Sequence, residues 1–403
     1  LSPKLARGIE GRKGLMERLA AGAPAVRGGV WFHVTSVGEY EQARPIIAAI
    51  GERSAAPPVA VTHFSPSGYE YALKRPCADL HDYLPFDHPG DMARLMELWE
   101  PRLLVFVKFD CWPNQVLEAA RRKVPVVLAA GSLQPRSGRL RPLARSMFRD
   151  VFNRFAHLGV CTPEDKQRFE NGLGVTCPVS VTGDTRVEQV IIRYEAARAG
   201  ETASRLRELG GRILVLGSTW PPDEQLWQPV LAELLAAVPD LRVVLTPHEP
   251  TEERLAGLER FLDGQAIGRR RLSELMAAPL GPADPARVIL TDSIGVLAEI
   301  YRAGHLTYVG GSFTTGVHNT MEPAVASMPV MFGPKIHNAE EAGLLVRRGA
   351  GFILDQPAEA LEAATALLND PARLAELGQA ARQVVLDQRG ATERSMAMIE
   401  PYL

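Results

Sequence analysis

Cysteine is scarce: Cys77, Cys111, Cys161 and Cys177 are the only four in 403 residues, and no two stand at zinc-knuckle or redox spacing. Reduced thiols in a cytosolic compartment are the plain reading. Excess charge is lacking as well. The 45 Lys and Arg against 47 Asp and Glu leave a formal −2, so bulk electrostatics predict no nucleic-acid partner. Nowhere do apolar residues run for the ~18 positions that a membrane-spanning helix needs. Repeats and low-complexity segments are missing too. What is there is 46% hydrophobic and 23% charged residues, the balance of a globular protein with real cores. The length predicts two to three domains.

Short apolar runs alternate with longer amphipathic stretches. Residues 29–35 read as a strand and 39–50 as a helix; 58–63, 102–107 and 124–129 read as further strands, with a helix over 113–122. This is the β-α-β rhythm of a parallel sheet covered on both faces. Residues 184–208 are helical and charged, and the rhythm then restarts. Strands are expected at 211–217, 241–246, 288–291, 306–309 and 329–332, with one helix over 222–237 and a helical tail from 358. Residues 264–284 read as a surface excursion. The predicted fold class is α/β, with two Rossmann-like doubly wound domains. Residues 1–190 form the first and 191–385 the second, and a C-terminal helix over 386–403 packs back on the first. Ligands of such sheets bind outside the carboxyl ends of the strands, so the chemistry is sought there, in a cleft that both sets of loops line.

The first strand ends in Ser36-Val37-Gly38-Glu39. Gly38 lets the backbone turn into the next helix. Glu39 falls in the first helical turn, where the dipole lowers a carboxylate pKa. That suits a base ionised at neutral pH, although on spacing alone a Glu that only supports its helix is the plainer reading. His63 at the end of the next strand faces either a ligand or the interior. Lys108 and Asp110, ahead of Trp112-Pro113-Asn114, either pair with each other or face a ligand. In the second half, Ser218-Thr219 and Asp292-Ser293-Ile294-Gly295 are anion sites or caps. The densest stretch is Gly310-Gly311-Ser312 with His318-Asn319-Thr320-Met321-Glu322-Pro323. The glycines admit a ligand close to the backbone, Glu322 can accept from a ribose diol, and Lys335 can offset charge on a leaving phosphate.

The ordered set of Ser36-Val37-Gly38-Glu39, Trp112-Pro113-Asn114, Val181-Thr182-Gly183-Asp184, Ser218-Thr219, Asp292-Ser293-Ile294-Gly295 and the Gly310–Pro323 block resembles the Kdo (3-deoxy-D-manno-octulosonic acid) transferases of lipopolysaccharide synthesis. The resemblance covers roughly residues 28 to 355. It implies a GT-B fold with C-terminal crossing helices. It implies inverting transfer of Kdo from CMP-Kdo to a lipid A precursor, without metal or cofactor. Glu39 matches the family's catalytic base. Ser218, Thr219, His248, Ser293, Gly295, Gly311, Ser312, His318, Asn319, Glu322 and Lys335 fall on the donor side. Ser36, Gly38, His63, Asp110, Arg136 and Arg139 are the acceptor-side candidates.

Two departures stand out. Asp110 replaces a longer acid, and Pro247-His248 stands where the family has Arg-His, which leaves His248 and Lys335 to compensate for a missing cation. The resemblance also implies a membrane anchor ahead of Leu1 and a place on the cytoplasmic face of the bacterial inner membrane. Two basic stretches are candidates for contact with anionic lipid: Lys4, Arg7, Arg12, Lys13 and Arg18, and then Arg136, Arg139, Arg141, Arg145 and Arg149. The rival readings are another sugar-nucleotide enzyme, such as a UDP-sugar transferase or epimerase, and a non-catalytic two-lobed sugar-binding protein.

Overall fold

The computed structural model describes residues 3–108, 110–278 and 285–403. The chain divides into two units, Leu1–Gln189 with Gln388–Leu403, and Val190–Asp387. In the first, seven parallel strands are β1 (Val30–Val34), β2 (Val59–His63), β3 (Leu80–Tyr83), β4 (Leu103–Val107), β5 (Val126–Gly131), β6 (His157–Val160) and β7 (Val179–Val181). They lie in the order β3-β2-β1-β4-β5-β6-β7. The second unit repeats the plan with β8 (Ile213–Thr219), β9 (Arg242–Pro247), β10 (Arg269–Arg271), β11 (Val288–Leu290), β12 (Leu306–Val309), β13 (Val330–Phe332) and β14 (Gly351–Ile353). Their order is β10-β11-β9-β8-β12-β13-β14.

Both faces of each sheet are covered, which is why the central strands read as continuous apolar runs. Successive β1 side chains alternate between two cores. Trp31 packs with Leu19 and Trp99. Val30, Phe32 and Val34 pack with Ile46, Ile50, Met398 and Ile399. The last two belong to helix Ala391–Ile399, which returns to the first unit against helix Val37–Gly51. In the second unit Leu214 and Leu216 face one core, and Ile213 and Val215 the other.

The expected strands are present, and five further strands lack an apolar run. Four of them, β3, β7, β10 and β14, are sheet edges. The most polar is β10, Arg269-Arg270-Arg271. Arg269 pairs with Asp263 and Glu259, and Arg271 with Glu252 and Glu259, so helix Glu252–Gly264 neutralises the edge. The expected surface excursion thus holds a strand and helix Leu272–Ala277, while residues 279–284 lie outside the described residues. The single helix expected over 222–237 is broken into Pro221–Trp227 and Leu231–Ala237 by a tight turn at Gln228–Val230, where Pro229 supplies no N–H to the helix.

The C-terminal helix seals the first unit. Ile399→Ala should lower that unit's unfolding free energy by roughly 2–5 kcal/mol in chemical denaturation. A loss no larger than that of an exposed substitution would show that Ile399 does not close the core.

Candidate active site

Each sheet reverses its winding once, between β1 and β4 in the first unit and between β8 and β12 in the second. The loops after those strands diverge and leave a crevice at their carboxyl ends.

In the first unit, helix Val37–Gly51 starts right after β1. The Ser36 hydroxyl caps it, accepting from Glu39 N at 3.3 Å. The Glu39 side chain turns back, and its Oε2 accepts from Thr35 N at 2.5 Å. Asp110, from the loop after β4, accepts the Thr35 hydroxyl and stands as a like charge beside Glu39. Its Oδ2 lies 3.5 Å from Nε2 of the fully buried His33. Two carboxyls therefore share one small site. Burial and the neighbouring Asp110 push Glu39 up to about 8, against the pull of the Thr35 and Ser36 N–H groups and Lys108. Burial raises Asp110 too. The expected dipole-lowered Glu39 is thus corrected: desolvation and a like charge outweigh the helix end. His33, by contrast, is held down to about 3 by burial and by Arg12, and stays neutral.

The other candidates in this unit divide. Gly38 lies inside the helix without a left-handed backbone, and a Cβ there would meet only Ser36 Oγ at 3.9 Å. It leaves room above the first turn and does not make the turn. His63 is interior, 3.2 Å from His81 and stacked on it, so it is not an acceptor-side residue. Lys108 acts electrostatically on Glu39 and Asp184, and Phe109 lies outside the described residues. Asn114 belongs to a helix start that Asp87 caps. Arg139 sits over the Phe148 ring, 5.3 Å from its centroid, and acts on Asp110. Arg136 is exposed.

The first basic stretch is mostly engaged within the protein. Arg12 binds three backbone carbonyls and lies over Phe64, Tyr83 and Phe86. Arg18 pairs with Asp82, Arg7 with Glu70 and Lys13 with Glu10; the Lys4 side chain lies outside what is described. The expected lipid contact of this stretch is therefore not supported. The second stretch differs. Helix Pro142–Phe152 carries Arg145 and Arg149 and turns Leu143 (99% exposed) and Met147 (52% exposed) outward.

In the second unit, buried Asp223 organises the crevice. It accepts from Trp220 N at 2.8 Å, Gly311 N at 2.9 Å and the Tyr308 hydroxyl at 2.7 Å, tying the loop after β8 to the loop after β12. Several candidates prove internal. Thr219 donates to Glu224, and Ser312 accepts from Gly333 N; both side chains are fully buried. A Cβ on Gly310 or Gly311 would strike Ser218 O or Gly316 O, so the protein itself fills the space expected for a ligand. Lys335 binds the carbonyls of Phe313 and Thr314. Arg254, the cation acting on His248, binds Glu224 and the Thr219 carbonyl. The helices after Trp220 and Thr320 have only seven and five residues, so they make poor dipoles for an anion.

What opens at the crevice is a group of rings and polar tips. Trp220 and His318 lie edge to edge, joined by a hydrogen bond, and His248 stacks on both rings. Asn319 Oδ1 accepts from Met321 N. Glu322 is raised by burial and steadied by Arg193 at 3.5 Å. Ser218 has a left-handed backbone, φ 51°, where the β8–β9 register shifts. Ser293 and Gly295 are exposed in the loop after β11. The sequence pattern passed over Thr35, Trp220, Asp223 and Arg193. Asp223 alone left a signal, as an acid three residues after Trp220 at a Pro-started helix.

Glu39 gives a pH test. Between about 4.5 and 8 the folded chain holds a proton at Glu39 that the unfolded chain has released. The stability this contributes is therefore present below 4.5 and lost as pH rises through 8. Glu39→Gln should flatten that fall in denaturation curves taken across the window. An unchanged slope would place the proton elsewhere.

A family model described as 3-deoxy-D-manno-octulosonic-acid transferase (kdotransferase) matches residues 9–189. The 3-deoxy-D-manno-octulosonic acid transferase of Haemophilus influenzae is 28% identical over 396 residues, 93% of this chain and 87% of its own length. That of Chlamydophila psittaci is 29% identical over 379 residues, 93% and 85% of the two chains. Among solved structures, UDP-GlcNAc 2-epimerase from Neisseria meningitidis is 13% identical with a TM-score of 0.64, over 92% of this chain and 98% of its own. That likeness shows the fold alone, two parallel-sheet α/β domains of GT-B type. Relatives of that name span most of this chain, so over nearly its whole length it is similar to the 3-deoxy-D-manno-octulosonic acid transferases, a likeness that supports glycosyltransferase activity.

Proposed function

We propose that the protein moves Kdo from CMP-Kdo to a hydroxyl of a lipid A precursor, with Glu39 as the base. The observation that carries this is the Glu39–Asp110 pair at the β1/β4 crevice. A carboxyl that ionises near 8 is a stronger base than an ordinary carboxylate, and its ionised form can take a proton from an attacking hydroxyl and release it afterwards. The acceptor oxygen displaces CMP in a single step, and the anomeric centre inverts. The second unit grips the donor: Glu322 suits the ribose diol, and Asn319, His318 and the Ser218 hydroxyl suit phosphate or carboxylate oxygens. No metal is required, so a chelator should leave the rate unchanged.

Glu39→Gln should slow transfer by roughly 10²–10⁴-fold while CMP still raises the melting temperature. Near-normal turnover would remove Glu39 from the chemistry. The wild-type rate should climb with pH towards about 8, where Glu39 ionises. Asp110→Asn removes the neighbouring charge and should move that climb to lower pH. A rate limb that stays in place would mean Asp110 does not govern Glu39.

The outward Leu143 and Met147 among Arg136, Arg141, Arg145 and Arg149 suit the headgroup layer of an anionic membrane, at the cytoplasmic face of the inner membrane where a lipid acceptor is reached. Leu143→Asp should release the protein from phosphatidylglycerol vesicles in sedimentation assays. Unchanged sedimentation would exclude this helix as the contact.

A further inference from the structure

Trp220 stands where β8 ends, beside His318. The two ring planes differ by 20° with centroids 6.4 Å apart. The indole Nε1–H donates to His318 Nε2 at 2.8 Å. Indole and imidazole thus form one nearly flat tile. His248 lies across it, 4.8 Å from the Trp220 ring and 4.4 Å from the His318 ring, tilted 8° from the latter. Gly311 packs so closely that a Cβ there would come within 2.8 Å of His318 Cδ2. The imidazole has little freedom to turn.

An indole nitrogen can only donate. His318 Nε2 must therefore accept, and the single proton of the neutral ring sits on Nδ1. Among the described residues no protein hydrogen bond to that Nδ1 is made. We propose that Trp220 is a positioning residue of the donor site, fixing His318 in the Nδ1–H tautomer so that it presents an uncharged N–H to an oxygen of the sugar nucleotide. This rests on the reading of the second unit as the CMP-Kdo site.

The surroundings keep the tile neutral. Burial, then neighbouring His248, holds His318 down to about 4. His248 is lowered by burial, with Glu249 opposing and Arg254 assisting. The other charged groups nearby are engaged: Asp223 with two N–H groups and a hydroxyl, Arg254 with Glu224, and Lys335 with two carbonyls. A flat, neutral hydrogen-bonding surface therefore stands next to Pro247, where the family resemblance implies an arginine. A neutral donor still rewards a correctly placed anionic oxygen, and a fixed tautomer makes that reward independent of pH near neutrality.

The test combines the intact protein with Trp220→Phe, which keeps a ring and deletes the N–H. In ¹⁵N-imidazole NMR of the wild type at neutral pH, the His318 proton should be on Nδ1. A proton on Nε2 overturns the proposal whatever the variant does. In Trp220→Phe the proton should redistribute to Nε2, and the donor KM should rise roughly tenfold, the worth of one such hydrogen bond. That KM should fall again below about pH 6.5, where a released imidazole charges, while kcat at saturating donor changes little. The wild-type KM should stay flat over the same range. A folded Trp220→Phe with wild-type KM and pH profile overturns the proposal. If CMP alone also binds more weakly, the contacted oxygen belongs to the phosphate; if only CMP-Kdo does, it belongs to the sugar carboxylate. A wild type that binds neither CMP nor CMP-Kdo would defeat the donor reading instead, and the tautomer measurement would still decide what Trp220 does to His318.

Discussion

Where the strand order reverses, two neighbouring parallel strands send their chains away to opposite faces, and the backbone between them opens. Both sheets have one such point, at β1/β4 and at β8/β12. The candidate site residues gather in the loops at those points: Ser36 and the buried Glu39 with Asp110 on one sheet, Ser218, Trp220, His318 and Glu322 on the other. The strands beneath are buried on both faces and leave polar groups no other place to collect.

At the first point a contest of magnitudes decides the state of Glu39. A helix end favours a carboxylate by about 0.3–1 kcal/mol, less than one pKa unit. Burial in a site that already holds Asp110 works the other way and wins, so Glu39 ionises only near 8. Neutral His33 against Asp110 adds no compensating charge. A free-standing carboxylate is a weak base near neutral pH. One whose pKa is raised by burial and a neighbouring acid is better matched to accepting a proton from a hydroxyl.

The repeating β-α-β plan was legible because central strands of a covered parallel sheet are apolar on both sides, as in Leu103–Val107. Edge strands escaped notice for the converse reason: Arg269–Arg271 is held by ion pairs with a neighbouring helix, which hydrophobic periodicity does not register. At the sites, spacing identified the loops but not which way side chains point. Thr219 and Ser312 look like ligand hydroxyls in sequence and are internal ties in the fold. Glu39 reads as a dipole-stabilised anion until Asp110, 71 positions on in the chain, is seen against it. Trp220 carries no motif. Only the contact with His318, 98 residues away, gives it a role.

The proton on Glu39 is the most exposed point. A ¹³C NMR titration of the Glu39 side-chain carboxyl in the intact protein measures it directly. The carboxyl should remain protonated through neutral pH and ionise near 8, with the Asp110 carboxyl responding to the same step. A Glu39 signal that completes its titration near the ordinary 4.5, independent of Asp110, would contradict the coupled pair and the base assigned to it.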